Sequence, residues 1–121
     1  MLFRSLLVDD EQEIAESLAE FLELEGYRCD TAGGGAEAIK RLAARDYDLI
    51  VSDLRMPDMD GPALFAWIKT QRPELAERTV FSTGDTLGVT AVDFLNRAGR
   101  PVIEKPFTPD SLRKLLDEMA G

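Results

Sequence analysis

Four short apolar runs, each followed by polar side chains, constrain the fold of this chain more than any other feature. The runs SLLV, DLIVS, TVFS and PVIE are too short for helices and are rich in Val, Ile and Leu, as buried parallel strands are. Longer segments with the apolar periodicity of helices lie between them. Because short crossovers between parallel strands are right-handed, this alternation predicts a doubly wound α/β sheet in one domain.

The alternation contains five strand–helix pairs. We expect strands at residues 4–8, 27–32, 49–52, 79–82 and 102–104. The fourth helix is expected at residues 89–98. The first helix has an apolar face that we expect to be buried, made of Ile14, Leu18, Phe21 and Leu22.

Residues that favour helix ends predict the helix boundaries. Asp10 or Glu11 is a candidate cap for the first helix, Asp60 for the third and Thr108 for the last. The third helix is expected to end before Pro73, because proline disfavours a helical residue in front of it.

Polar residues follow the predicted strands where a sheet of this kind binds its ligands. An open parallel sheet binds ligands at the carboxyl ends of its strands, so we expect one site with three aspartates, a hydroxyl and an ammonium. Clustered carboxylates raise each other's pKa unless a cation joins them. A hard divalent ion such as Mg²⁺ prefers oxygen ligands, and phosphoryl chemistry commonly uses it. The residues are Asp9, Asp10 and Glu11 after the first strand, Asp53 after the third, Thr83 after the fourth and Lys105 after the fifth.

Lys105 closes a buried strand, and a cation in that position needs an anionic partner. Pro106 follows it and forces the backbone of Lys105 into an extended conformation or the bond between them into the cis form. The Lys105–Pro106 bond is therefore a candidate cis peptide.

The glycine run Gly33-Gly34-Gly35 lies between the second strand and its helix. It lacks the GxxxxGK[ST] and GxGxxG spacings of phosphate-binding loops. A flexible strand-to-helix connection is therefore predicted there.

Composition excludes several kinds of chemistry. The chain contains no histidine, which excludes Ser-His and Cys-His catalysis, His-ligated zinc and a phosphohistidine on this chain. A formal net charge of −9 would repel nucleic acid, so we expect no direct nucleic-acid binding. No apolar run approaches the roughly 20 residues of a membrane span, so we expect no membrane insertion. The single Cys29 forms no internal disulfide, which fits a reducing cytoplasm, and is expected to be a small buried residue.

The order of these motifs resembles the receiver domain of two-component response regulators, the CheY-like family. The matching motifs are the acidic pair after the first strand, DLRMPDMDG after the third, Thr-Gly after the fourth and Lys-Pro-Phe after the fifth. They span essentially the whole chain. The resemblance implies a flavodoxin-like fold with strand order 2-1-3-4-5 and five helices. It also implies one receiver domain over residues 1–121, without an output domain.

A receiver takes part in a phosphorelay. The resemblance implies that a histidine kinase or a histidine phosphotransfer domain passes a phosphoryl group to Asp53 in a step that depends on Mg²⁺ or Mn²⁺. Asp9 and Asp10 match the metal-binding pair, and the backbone carbonyl of Arg55 is a further ligand. The domain would be a cytoplasmic switch or relay rather than an enzyme, although it catalyses its own phosphorylation and dephosphorylation.

Two further positions match the receiver pattern, and one departs from it. Thr83 matches the hydroxyl residue that contacts the phosphoryl group and switches, and Lys105 matches the phosphate-contacting lysine. Many receivers carry an aromatic switch residue three positions before that lysine, where this chain has Val102. We therefore expect phosphorylation to shift residues 84–98 rather than to flip a ring. A relay without a large switch remains an equal alternative.

The segments VFSTGDT and RPVIEKPF resemble receivers attached to hybrid histidine kinases, so the chain could belong to a larger hybrid kinase. Two other classes of protein remain open. A phosphatase of the haloacid dehalogenase type also uses Asp, Lys, Thr and magnesium, but it should begin with a DxDx[TV] strand end, and the first strand here ends in DDEQE. A flavodoxin-like cofactor carrier needs a first loop that cradles phosphate, and the first loop here is acidic.

Overall fold

Five parallel strands form one sheet in the order β2-β1-β3-β4-β5. The computed structural model describes residues 3–84, 88–105 and 108–120. This sheet confirms the predicted doubly wound, flavodoxin-like α/β fold and its strand order. The strands are β1 (Arg4–Val8), β2 (Arg28–Ala32), β3 (Leu49–Asp53), β4 (Thr79–Thr83) and β5 (Val102–Glu104).

Six helices occur in the described part of the chain, one more than predicted. The additional helix is a single turn that begins at Pro73, and proline is tolerated at the first position of a helix because its missing N–H needs no partner there. The helices are α1 (Gln12–Leu24), α2 (Gly35–Ala44), α3 (Gly61–Gln71), α4 (Pro73–Ala76), α5 (Val89–Ala98) and α6 (Pro109–Ala120). None of the helices described is long and apolar enough to cross a membrane.

Side chains alternate between the two faces of the sheet, so each face has its own core. On one face Leu6 and Ile50 pack with residues of α2, α3 and α4. On the other face Leu7 and Val51 pack with residues of α1 and α6. The strands β1, β3 and β4 are therefore buried between helices. The prediction of a buried strand was wrong for β5, which lies at the edge of the sheet and is largely exposed.

A third cluster lies beside the carboxyl end of β4. Phe81 of β4 packs edge-to-face against Phe65 of α3 and Phe94 of α5, with ring centroids 5.3 Å and 5.2 Å away. Such aromatic pairs stabilise by about 0.5–1.5 kcal/mol beyond the burial of their area. This cluster packs α5 against the sheet and α3.

The helix ends agree with the sequence predictions except in α1. The Asp60 carboxylate accepts a hydrogen bond from the Ala63 amide, and the Thr108 hydroxyl accepts one from the Ser111 amide, which confirms both caps. The prediction that Asp10 or Glu11 caps α1 was wrong, because Glu11 lies at the N-cap position and no side chain there accepts a capping hydrogen bond.

Burial also departs from the prediction in α1. Ile14, expected on the buried face, is 54% exposed, while Leu18 and Leu22 are buried. Ile14 lies in the first turn of α1, where the neighbouring Ala15 is the buried residue. Cys29 is buried as expected, and burial raises the pKa of its thiol to about 11.

Candidate functional site

The predicted acidic residues meet at the carboxyl edge of the sheet. Asp53 is the last residue of β3 and is 8% exposed, and Asp9 follows β1 directly. Asp9, Asp10 and Asp53 each offer a carboxylate oxygen, and these three oxygens lie within 4.8 Å of one another. Parallel pairing of β1 with β3 produces this cluster, because it brings the two strand ends side by side.

Lys105 provides the positive charge of the cluster. Its Nζ lies 2.7 Å from Asp9 Oδ2 and 3.0 Å from Asp53 Oδ2, and 3.8 Å from a carboxylate oxygen of Glu11. The Lys105 amide donates a hydrogen bond to the Thr83 carbonyl, which continues the pairing of β5 with β4 and holds the lysine stem over the site. The anionic partner that the sequence predicted for Lys105 is therefore the acidic cluster itself.

The protonation of the cluster follows from burial and from these close contacts. Burial raises the pKa of Asp53, and the Asp9 charge raises it further, while hydrogen bonding to Lys105 opposes both. Burial alone would lower the pKa of Lys105, but its hydrogen bonds to Asp9 and Asp53 outweigh burial and raise that pKa. Lys105 is therefore held in its charged form, and Asp53 is harder to ionise than an ordinary aspartate.

Thr83 and Val102 occupy different parts of the sheet. Thr83 is the buried last residue of β4 and lines an open cleft of about 840 Å³ together with Asp53, Arg55 and Lys105. Val102 begins β5, lies opposite Phe81 and is 43% exposed. The structure thus brings Thr83 to the predicted site and places Val102 two residues before the end of the β4–β5 pairing.

The loop after β3 presents Arg55 at the rim of the cleft. Its ends are fixed by two backbone hydrogen bonds: the Leu54 amide donates to the Ser82 carbonyl, and the Gly61 amide donates to the Leu54 carbonyl. A side chain at Gly61 would lie 2.8 Å from the Asp53 carbonyl oxygen, so this close approach requires glycine. The sequence indicated turn chemistry in this segment but not the packing of Gly61 on the backbone of Asp53.

Two expectations about the site have different outcomes. The candidate cis peptide between Lys105 and Pro106 lies outside the described residues, because Pro106 is not among them. The predicted strand-to-helix connection at the glycine run is confirmed, since β2 ends at Ala32 and α2 begins at Gly35, while its flexibility stays a prediction. Gly34 and Gly35 lie close against the side chains of Asp58 and Met59. Contacts so close leave no room for a Cβ atom at either glycine.

The sheet order and the acidic cluster at its carboxyl edge define the class of protein: a flavodoxin-like α/β domain with an oxygen-rich site that could hold a metal ion. Residues 6–117 match the response regulator receiver domain family, and the chain belongs to that family. Membership favours the receiver interpretation over the phosphatase and the cofactor carrier, and it assigns the chain to two-component signalling.

Similar proteins support this assignment. The chain is 34% identical over 106 residues to the C4-dicarboxylate transport transcriptional regulatory protein DctD of Rhizobium meliloti, covering 88% of this chain and 23% of that protein. It is 36% identical over 110 residues to the alginate biosynthesis transcriptional regulatory protein AlgB of Pseudomonas putida, covering 91% of this chain and 24% of that protein. A CheY-like receiver domain protein from Methanospirillum hungatei superimposes with a TM-score of 0.83 at 29% identity, over 99% of this chain and 98% of that one.

The chain spans about a quarter of the length of these two regulators. Both are named as transcriptional regulators, so the resemblance to receivers of hybrid histidine kinases stays a prediction.

The raised pKa of Asp53 makes stability depend on pH. Because the folded protein holds the proton of Asp53 more tightly than the unfolded chain does, low pH favours the folded state. This advantage is present below the unfolded pKa and is lost as pH rises through the folded pKa, where the buried charge forms. Without divalent metal, we therefore expect Asp53→Asn to have a larger free energy of unfolding than the wild type at pH 7. The difference should shrink as pH falls through the folded pKa of Asp53 and should vanish below the unfolded pKa. Urea unfolding at a series of pH values measures it.

The matched control is Glu20→Gln, which removes one carboxylate from the exposed face of α1. An equal gain in stability from both substitutions would show that net charge, rather than the buried position of Asp53, is responsible.

Proposed function

We propose that this domain accepts a phosphoryl group on Asp53 from the phosphohistidine of a histidine kinase or of a histidine phosphotransfer domain, and that the reaction depends on Mg²⁺. The observation that carries the proposal is the position of the Asp53 carboxylate. It lies at a strand end within 4.8 Å of oxygens of Asp9 and Asp10 and 3.0 Å from the Lys105 ammonium.

The donor set fits a hard divalent ion. Three carboxylates supply only oxygen ligands, and the site is open to the cleft, so water molecules could supply the remaining ligands. Asp9, Asp10 and Asp53 would hold Mg²⁺ or Mn²⁺, and the Arg55 carbonyl would supply a further ligand. When bound, the ion would neutralise charge on the phosphoryl oxygens.

The residues of the chain have separate roles in the transfer. An Asp53 carboxylate oxygen attacks phosphorus, and the O–P bond forms as the N–P bond to the donor histidine breaks. Lys105 covers one phosphoryl oxygen with its ammonium, and the Thr83 hydroxyl donates a hydrogen bond to another.

The domain would be a cytoplasmic switch or relay point and not an enzyme that acts on other substrates. It would catalyse its own phosphorylation and the later hydrolysis. Residues 1–121 would form a single receiver domain, alone or as part of a longer protein, with no direct contact to nucleic acid. The free, buried thiol of Cys29 supports a reducing compartment.

The first prediction concerns the phosphoacceptor. Asp53→Asn should abolish labelling by a phosphohistidine donor or by acetyl phosphate, because the amide nitrogen and oxygen of asparagine are poor nucleophiles. Phosphoprotein gels or intact mass spectrometry measure the stoichiometry. Asp46→Asn removes an exposed carboxylate and should label like the wild type. Labelling of Asp53→Asn at the wild-type rate and stoichiometry would contradict the assignment of Asp53 as the phosphoacceptor.

The second prediction concerns the metal. Phosphorylation by acetyl phosphate should require Mg²⁺ or Mn²⁺ and should stop in excess chelator. Asp10→Asn should bind Mn²⁺ several-fold more weakly, because it removes one oxygen ligand and one negative charge. Mn²⁺ titration followed by electron paramagnetic resonance gives the dissociation constant. Undiminished labelling in excess chelator would refute the role of the metal.

The third prediction concerns how the signal leaves the site. Thr83 should engage the phosphoryl group through its hydroxyl, while Val102 has no ring to reorient. We therefore expect beryllofluoride, a phosphoryl mimic, to shift the amide resonances of Gly84 and of α5, which packs on Phe81 through Phe94. Changes confined to residues that touch the mimic, with α5 silent, would indicate a relay without a large switch. Residues 85–87 of the expected segment lie outside the described chain.

A further inference from the structure

We propose that Asp58 and the turn Gly33–Gly35 position the two loops that carry the metal ligands. Asp58 does not itself contact the site. It ties the loop after β3 to the N-terminus of α2, and this turn also contacts the start of α1. This role rests on the function proposed above, because it concerns how the same metal site is held.

Asp58 caps α2 from another part of the chain. Its Oδ1 accepts a hydrogen bond of 3.1 Å from the Gly35 amide, and its Oδ2 accepts one of 3.0 Å from the Ala36 amide. These two amides are among the first of the helix, which have no partner within it, and Gly34 at the N-cap has no side chain to accept them. Hydrogen bonds from Ala36 and Gly35 lower the pKa of Asp58 and so keep it ionised. Its negative charge also interacts favourably with the positive end of the helix dipole.

The glycines are required by close approach. A Cβ at Gly34 would lie 2.5 Å from Asp58 Oδ1, and one at Gly35 would lie 2.6 Å from Met59 Cβ. Met59 also packs against the core on that face of the sheet. Any larger residue at Gly34 or Gly35 would therefore push the loop after β3 away from α2.

The same turn contacts the loop after β1. The side chain of Gln12, the first residue of α1, lies over Gly33, and the Gly33 amide donates a 2.8 Å hydrogen bond to Glu37. Gln12 follows Asp9 and Asp10 closely in the chain, just as Asp58 follows Arg55. The turn thus touches both segments that supply the proposed ligands.

These contacts hold together the two loops that repulsion between the carboxylates of the site pushes apart. The carboxylates of Asp9, Asp10 and Asp53 repel one another, and without metal the Lys105 charge offsets only part of that repulsion. Loops that moved apart would have to be ordered again when the metal binds, which weakens binding. Positioning groups of this kind commonly change metal affinity by about 10–100-fold.

The test is Mn²⁺ binding by the intact chain, followed through the electron paramagnetic resonance signal of free Mn²⁺. Asp58→Ala should bind Mn²⁺ about tenfold more weakly than the wild type. Gly35→Ala, which changes no charge, should weaken binding to a similar degree because its methyl group displaces Met59. The double variant should bind Mn²⁺ about as weakly as the weaker-binding single variant. The two effects should not add, because both substitutions disturb the same loop contact.

Two controls separate positioning from charge and from stability. Glu13→Gln removes one negative charge from the exposed first turn of α1 and measures the general electrostatic effect. Tyr47→Phe removes the hydrogen bond from Tyr47, just before the amino end of β3, to Asp30 in β2. It should lower the melting temperature with little change in Mn²⁺ affinity. All titrations are made well below the lowest melting temperature. If Asp58→Ala does not fold, Asp58→Asn, which keeps one accepting oxygen, should show a smaller loss of affinity.

The outcomes distinguish the two proposals. Two results would overturn the positioning role alone, provided that the wild type binds Mn²⁺. One is a Mn²⁺ affinity of Gly35→Ala within twofold of the wild type. The other is a Mn²⁺ affinity of Asp58→Ala no weaker than that of Glu13→Gln. If the wild-type domain did not bind Mn²⁺, or if Asp53→Asn bound it equally well, the proposed metal site and the positioning role would fail together.

Discussion

The Lys105 ammonium, placed between the carboxylates of Asp9 and Asp53, is the interaction on which the site depends. The two aspartates end neighbouring strands, and the parallel fold brings such ends together whether or not their charges repel. A cation at 2.7 Å and 3.0 Å reduces that repulsion without metal. Lys105 directly follows the short strand β5, which is held to the sheet through β4, so the position of the ammonium depends on this pairing.

The acidic site is built at some cost to the stability of the fold. Burial raises the pKa of Asp53, which means that its ionised form is disfavoured in the folded protein. Natural sites commonly combine such unfavourable groups with rigid surroundings, because the function needs the charge where it is. Here the surroundings are backbone contacts: Gly61 packed on Asp53, and the hydrogen bond from the Leu54 amide to the Ser82 carbonyl of β4.

Transmission from the site has one evident physical connection. Thr83 ends β4, and Phe81, two residues earlier, packs edge-to-face with Phe94 of α5. Packed aromatic clusters have few alternative arrangements, so we expect a small shift of β4 to be passed to α5 rather than absorbed. Val102 pairs with Phe81 in the neighbouring strand and adds an aliphatic surface there instead of a movable ring.

The sequence alone determined the fold class, the strand positions to within about one residue, and the residues of the acidic cluster. These depend on local patterns: short apolar runs form strands, and a residue that closes a parallel strand must lie at the carboxyl edge. Only the tertiary structure decided that Lys105 pairs with both Asp9 and Asp53, that Ile14 is exposed, and that the glycine run is a packed turn. Those features depend on contacts between distant segments, such as Asp58 with Gly35, and no local pattern of residues specifies which loops will meet.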